Sequence, residues 1–312
     1  MRKNIKIFIY TMELKNYTNS LNQLDPWFIT GFADGESSFS ILISEYKKLK
    51  VGWQVKAEFQ LCLHSKDVEI LYKIQEFFKG IGNISIKSNR DVAQYRVNDI
   101  NSIKEILIPH FEKYPLQSAK SVDFLLFKQC VELIANKEHL NKSGLEQIIA
   151  IKAGLNLGIP DKIKLAFPHV QEIKRPEYII NDNSLNPYWV SGFVNAEGSF
   201  LVSFYKTGQI NAVFSIGLNE REHPLLKKIQ SFFKIGNINK VPSNNSVHYR
   251  VTSISELNTF IIPHLERYPL FGVKLNNYLI WHQIVILISN KLHLTEEGLA
   301  QLKLFRSTLN KY

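Results

Sequence analysis

The sequence predicts an α+β protein made of two pseudo-symmetric αββαββα repeats, each with a four-stranded antiparallel sheet, joined through a paired-helix interface. Three observations carry that expectation: the chain repeats itself, apolar spacing in each copy switches between strand and helix periods in the same order, and the first helix of each copy has a small-residue face. Residues 82–145 align without a gap to 236–299, with 26 identities in 64 positions. Upstream, residues 59–63 match 214–218 at an offset of 155, and Gly31-Phe32 through Glu36 matches Gly192-Phe193 through Glu197 at an offset of 161. Self-similarity on this scale marks a duplicated structural unit. The expected parts are a basic arm at 1–20, a first repeat at 21–157, a linker at 158–185 and a second repeat at 186–312.

Each repeat opens on a helix. Residues 26–35 begin with proline, whose fixed φ suits a first helical turn, and end at Gly35. Residues 38–46 alternate, with Phe39, Ile41 and Ile43 inward and Ser38, Ser40, Ser44 and Tyr46 outward. A second strand follows the same rule: Val55, Ala57, Phe59, Leu61 and Leu63 point inward while Lys56, Glu58, Gln60 and Cys62 point outward. Residues 68–78 have a helical period, and 83–87 with 92–98 form another hairpin. Six of the seven residues missing from the second copy fall between its first two strands, which predicts a tighter turn around Thr207 and Gly208. The linker, with Pro160, Pro168, Pro176 and the polar run at 181–184, reads as a connection along the surface.

With 312 residues, 45% of them hydrophobic, the chain is large enough for two cores. The longest aliphatic run, residues 284–288, has five residues, where a membrane span needs about 20, so a soluble protein with no membrane partner is expected. Two cysteines, Cys62 and Cys130, exclude a disulfide framework and a cysteine-rich zinc site. The formal charge of +10 favours a polyanionic partner, nucleic acid ahead of an anionic membrane surface.

The candidate chemistry lies at two helix ends. Gly31 and Gly35, and Gly192 and Ala196, place small residues four apart, so the two helices can pack closely and run out together. That brings Glu36 and Glu197 side by side. A helix C-terminus presents unpaired carbonyls and the negative end of its dipole, which favours cations. Two carboxylates with the carbonyls of Gly35 and Ala196 make an all-oxygen site suited to a hard divalent ion such as Mg²⁺. One such glutamate alone would read as a solvated surface group; its recurrence in register argues for the site.

The segments Ile29-Thr30-Gly31-Phe32-Ala33-Asp34-Gly35-Glu36-Ser37 and Val190-Ser191-Gly192-Phe193-Val194-Asn195-Ala196-Glu197-Gly198 resemble the two motif copies of a single-chain, two-repeat LAGLIDADG homing endonuclease of the group I intron-encoded type. The resemblance covers roughly residues 24–310. It implies a helix pair at the domain interface, two saddles gripping double-stranded DNA, and carboxylate metal ligands at Glu36 and Glu197 with carbonyl ligands at Gly35 and Ala196. Ser37 replaces the motif's glycine and Asn195 its first aspartate, and neither change removes a ligand. The resemblance also implies a basic residue near the metals, for which Lys120 and Lys274 are the matching candidates in the repeated Tyr-Pro-Leu blocks. Lys274 ranks first because Gly272 removes bulk beside it. The recurring His110, His264, His139 and His293 read as packing or capping groups.

The expected function is therefore a metal-dependent double-strand break in a long asymmetric DNA target, made by a monomer with an internal pseudo-two-fold. Outward strand positions are expected to face the major groove: Ser38, Ser40, Ser44, Tyr46, Gln60, Gln94, Arg96 and Asn98 in one half, and Ser199, Ser203, Tyr205, Ser215, His248, Arg250 and Thr252 in the other. Arg96 and Arg250, in matched Tyr-Arg-Val blocks, are the candidates for guanine or phosphate. The alternative is a maturase that binds its host intron RNA and assists splicing without cleavage, and a third reading is a DNA-binding repressor with an inert centre. Retention of Glu36 and Glu197 favours cutting. Thirty Lys against eight Arg, with 26 Asn, suggests an A+T-rich genome, and with the family's occurrence in organelles this points to the mitochondrial or another organellar matrix.

Overall fold

A computed structural model describes residues 23–206 and 208–311; the basic arm at 1–20 and Thr207 lie outside the described residues. In the first repeat α1 (Pro26–Glu36) leads into β1 (Ser37–Glu45) and β2 (Trp53–His64), and α2 (Val68–Phe77) crosses to β3 (Asn83–Lys87) and β4 (Val92–Val97). Helices α3 (Ile108–Lys113), α4 (Lys120–Ala135) and α5 (Lys142–Ala153) follow, and α6 (Asp161–Ala166) lies in the connection. The order then recurs as α7 (Pro187–Glu197), β5 (Gly198–Phe204), β6 (Ile210–Asn219), α8 (His223–Phe233), β7 (Asn237–Val241), β8 (Ser246–Val251), α9 (Ile262–Arg267), α10 (Gly272–Ser289) and α11 (Glu296–Thr308). The expected αββαββα repeats are present, each extended by further helices.

The sheets have the strand orders β1-β2-β4-β3 and β5-β6-β8-β7, all pairs antiparallel. Alternation decides their faces. Phe39, Ile41, Phe59, Leu61, Tyr95 and Val97 are buried against the helices, leaving a polar row across the other face in which Ser38 pairs with Gln60, Gln60 with Arg96, and Arg96 with Asn83. The second sheet repeats the row as Ser199, Ser215, Arg250 and Asn237.

The shortened hairpin differs from expectation. The turn at 205–209 is shorter than that at 46–52, but β5 and β6, with 7 and 10 residues, are also shorter than β1 and β2, with 9 and 12.

Both interface helices start on matched caps: Asp25 Oδ1 accepts the Trp27 N–H at 2.8 Å and Asn186 Oδ1 accepts that of Tyr188 at 2.9 Å, each followed by proline at the first turn. Their packing requires glycine. A Cβ on Gly31 would stand 2.0 Å from the Trp189 carbonyl oxygen, and one on Gly192 would stand 2.0 Å from that of Phe28. Each backbone occupies the space a side chain would need, so any larger residue at either position would force the helices, and the two sheets they carry, apart.

Candidate active site

The motif helices end differently but reach the same point. Ser37 Oγ donates to the Ala33 carbonyl at 2.6 Å, satisfying an end carbonyl of α1. At the matching place, a Cβ on Gly198 would lie 2.5 Å from the Val194 carbonyl oxygen, so glycine is required there. Both solutions turn the chain directly into the first strand and leave Glu36 and Glu197 half-buried at the helix ends. The side chain of Glu197 lies against α1: a Cβ on Gly35 would meet its Cγ at 3.2 Å and its Oε1 at 3.3 Å. Burial raises the Glu36 carboxyl to about 7, with the charge of Glu197 adding to the rise. Burial likewise raises Glu197, against the pull of Lys120 and Lys274. Two carboxyls that resist ionisation together form a site that a cation relieves.

Three clefts meet at this point. One is bordered by Glu36, Ala196, Lys274 and Asp67, another by Glu197, Gly35, Lys120 and Glu222. Each combines a carboxylate of one repeat with the helix end of the other. The third runs from Glu197 and Lys274 onto the second sheet, past Ser199, Ser215, His248 and Arg250.

Lys120 Nζ donates to the carbonyls of Ala33 and Gly35, both at 3.0 Å, and Lys274 Nζ donates to that of Gly198 at 2.6 Å. The ammonium groups thus sit at the negative helix ends. Burial lowers both lysines, opposed at Lys120 by Asp34, Glu197 and Glu36, and at Lys274 by Glu36, Glu197 and Asp67.

The loops before these lysines are fixed by the sixth motif position. Asp34 accepts the N–H groups of Gln117 and Ser118 at 2.8 and 3.0 Å, the Ser118 hydroxyl at 2.6 Å, and Trp189 Nε1–H from the other repeat at 2.8 Å. Burial raises its carboxyl, and these four bonds counter the rise. Asn195 Oδ1 accepts the Phe271 N–H at 2.7 Å, so an uncharged residue does the equivalent work in the second copy. His110 and His264 reach the same loops. Thr30 and Ser191 donate their hydroxyl protons to the Tyr114 and Tyr268 carbonyls at 3.0 and 2.7 Å, so the ring Nε2–H of each histidine, 3.2 and 3.1 Å away, is the donor to the hydroxyl.

The outward residues fall on one face of each sheet. Ser38, Ser40, Ser44, Gln60, Gln94 and Arg96 lie on β1, β2 and β4, with Tyr46 and Asn98 just past strand ends. Ser199, Ser203, Ser215, His248 and Arg250 occupy the second sheet, with Tyr205 and Thr252 just beyond it. Gln94 and Ser215 are nonetheless buried under their neighbours, and Arg96 Nη2 donates to Gln94 Oε1 at 2.8 Å. Sequence reasoning passed over the edge strands: Asn83 and Ser85 pair with Arg96 and Gln94, and Asn237 and Asn239 with Arg250 and His248. It also passed over Asp67 and Glu222, although both are acidic and align at the offset of 155 that relates their strands.

Among the described residues, no group of three or more His, Cys, Asp or Glu side chains could hold a metal ion. The available donors are two carboxylates and helix-end carbonyls, a hard oxygen set that fits a divalent ion of the Mg²⁺ type and does not fit a soft one.

The family model for LAGLIDADG endonucleases matches residues 29–131 and 190–285. The chain is 37% identical to probable intron-encoded endonuclease 3 of Neurospora crassa, over 96% of this chain and 57% of that one, and 37% identical to probable intron-encoded endonuclease 2 of the same organism, over 92% and 65%. It therefore spans less than two thirds of the length of these relatives. An uncharacterized mitochondrial protein of Saccharomyces cerevisiae, RF1, is 23% identical over 99% of the chain and 65% of its own length. Among solved structures, the I-SmaMI LAGLIDADG homing endonuclease bound to cleaved DNA superposes with a TM-score of 0.89 at 35% identity, covering 92% of this chain and 97% of that one. I-SmaMI bound to uncleaved DNA target in the presence of calcium ions gives 0.88 at 35%, covering 93% and 100%.

Proposed function

The chain belongs to the LAGLIDADG endonuclease family, and from that premise we propose that it is a site-specific homing endonuclease making a metal-dependent double-strand break in a long, asymmetric DNA target. The observation that carries this reading is the pair of half-buried carboxyls, Glu36 and Glu197, at the pseudo-two-fold between two polar sheet faces, with Lys120 and Lys274 drawn to the same helix ends. Glu36 and Glu197, with the carbonyls of Gly35 and Ala196, would hold Mg²⁺ or another hard divalent cation, which when bound supplies Lewis-acid stabilisation and an activated water. The lysines contribute positive charge where phosphate charge develops.

A pseudo-two-fold monomer suits a duplex, whose antiparallel strands are related by local two-fold axes. Divergence of the two rows, for example Gln94 against His248 and Ser38-Phe39-Ser40 against Ser199-Phe200-Leu201, fits a target whose half-sites differ. On the first row Arg96 and Gln60 face the groove, and on the second Arg250, His248 and Ser203; these polar tips would read base edges or hold phosphates. The relationship to a mitochondrial protein supports action in that organelle.

The test is a duplex spanning the exons joined across this reading frame. With Mg²⁺ a double-strand break is expected, and with Ca²⁺ binding without cutting. Binding and splicing of the host intron RNA, with the duplex left intact under every divalent ion, would instead establish the maturase reading.

A further inference from the structure

Each helix that carries a lysine takes an acceptor from outside its own repeat, although at α4 Ser118 Oγ also accepts the Lys120 N–H at 3.2 Å. Ala119 precedes α4 and Phe271 precedes α10, and neither N-cap makes a side-chain bond to its first turn. Both helices find an acceptor in the opposite repeat. Asp67 Oδ1, in the turn after β2, accepts the Val273 N–H at 2.8 Å. Glu222, in the turn after β6, accepts the Ala119 N–H through Oε1 and Oε2 at 3.3 and 3.2 Å. The two contacts are images of one another, since Asp67 aligns with Glu222 and Ala119 with Val273. In each case the residue held is the one immediately before the lysine.

A first-turn N–H is an unpaired donor at the positive end of a helix, so a carboxylate there is favoured by both the hydrogen bond and the dipole. Gly272 belongs to this contact. Its φ is +62°, and a Cβ on it would stand 2.5 Å from Asp67 Oδ1. The glycine thus makes room for the carboxylate of the other repeat.

We propose that Asp67 and Glu222 are cross-repeat positioning residues, each fixing the start of the helix from which the opposite repeat's lysine reaches the catalytic centre. Each lysine's helix then gains this anchor only when the two repeats have docked, in addition to the bonds within its own repeat. The inference rests on the proposed nuclease function, with each lysine nearer one of the two scissile phosphates, so it is tested with two readouts, one of which needs no nuclease activity.

The first readout is backbone amide exchange in the full chain. Asp67→Ala should raise exchange at Val273 and leave Ala119 unchanged, Glu222→Ala should do the reverse, and Asp67→Asn, which keeps a carbonyl acceptor, should preserve most of the protection at Val273. Unchanged exchange at Val273 in Asp67→Ala overturns the proposal. The second readout is single-turnover cleavage of the joined-exon duplex with each strand labelled separately. Asp67→Ala should slow the same strand as Lys274→Met, by on the order of ten- to a hundredfold, with DNA affinity unchanged, and Asp67→Asn should recover most of that rate. An equal loss on both strands that follows a lowered melting temperature makes the contact structural only and overturns the positioning role. If Asp67→Ala does not fold, Glu222→Ala carries the same comparison, expected to slow only the strand slowed by Lys120→Met and overturned by equal slowing of both. If Lys274→Met slows neither strand, the lysine reading fails and the positioning role with it, while the exchange data still report whether the contact exists.

Discussion

The loops that present Lys120 and Lys274 descend from one sequence, yet they are braced very differently. Beside Asp34 and Glu222, the first loop is held by the Tyr178 hydroxyl, which donates to the Gln117 carbonyl, by Arg175 Nη2 on the Ala119 carbonyl at 3.1 Å, and by Lys228 Nζ on Gln117 Oε1 at 2.9 Å. Arg175 is itself anchored to Asp123 and to the Gly154 carbonyl. The second loop has the matching Asn195 and Asp67 bonds. Arg175 and Tyr178 come from the connection between the repeats, and one connection can strap only one loop. Duplication therefore supplies two equivalent sets of chemical groups, and the join between the copies makes their settings unequal. On the proposed nuclease reading, Lys120 would be held before DNA arrives and its strand should be cut first.

Where the repeats are alike, they should respond alike. Burial holds His110 and His264 down to about 4, so the unfolded chain takes up protons first as pH falls below its usual histidine range. Stability from each neutral imidazole is complete above about 6.5 and is lost as pH falls to about 4, roughly 3 kcal/mol per ring. Urea unfolding across that window should show the slope of both rings. Replacing either histidine by Gln should remove about half of the slope, and an unequal division would mean the repeats differ here as well.

The lysines sharpen the contrast. Lys120→Met and Lys274→Met should each slow cleavage of a different strand, by about a hundredfold if the ammonium stabilises developing phosphate charge. DNA affinity and its salt dependence should stay nearly unchanged. If either lysine is only a phosphate clamp, affinity should fall and the salt slope shrink by about one.

Arg175→Ala is the smallest effect and the most selective. It removes a two-pronged pair with Asp123 that is two-thirds or more shielded on both sides, for a stability loss of about 1–2 kcal/mol. Cleavage of the Lys120 strand should fall several-fold and the other strand should be unaffected. Equal slowing of both strands would break the claim that the connection braces one loop.

These differences were partly legible in the sequence. The repeat, the inward alternation of Phe39, Ile41 and Phe59, and the pairing of Glu36 with Glu197 follow from local periods and from register between copies. Asp67 and Glu222 do not, because their partners belong to the other repeat and meet them only after the Gly31 and Gly192 backbones have docked. Arg175 and Tyr178 lie in a segment with no second copy to highlight them. Gln94 and Ser215 point outward as alternation requires, but they lie on the inner strands of their sheets, where flanking side chains cover them.

The nuclease function turns most directly on the paired carboxylates, and Glu36→Gln/Glu197→Gln keeps their shape while removing both charges. Single-turnover cleavage of the joined-exon duplex by this double variant in Mg²⁺, with binding measured in Ca²⁺ alongside, should show no double-strand break and a target affinity close to that of the unaltered chain. Cleavage at the unaltered rate would contradict it.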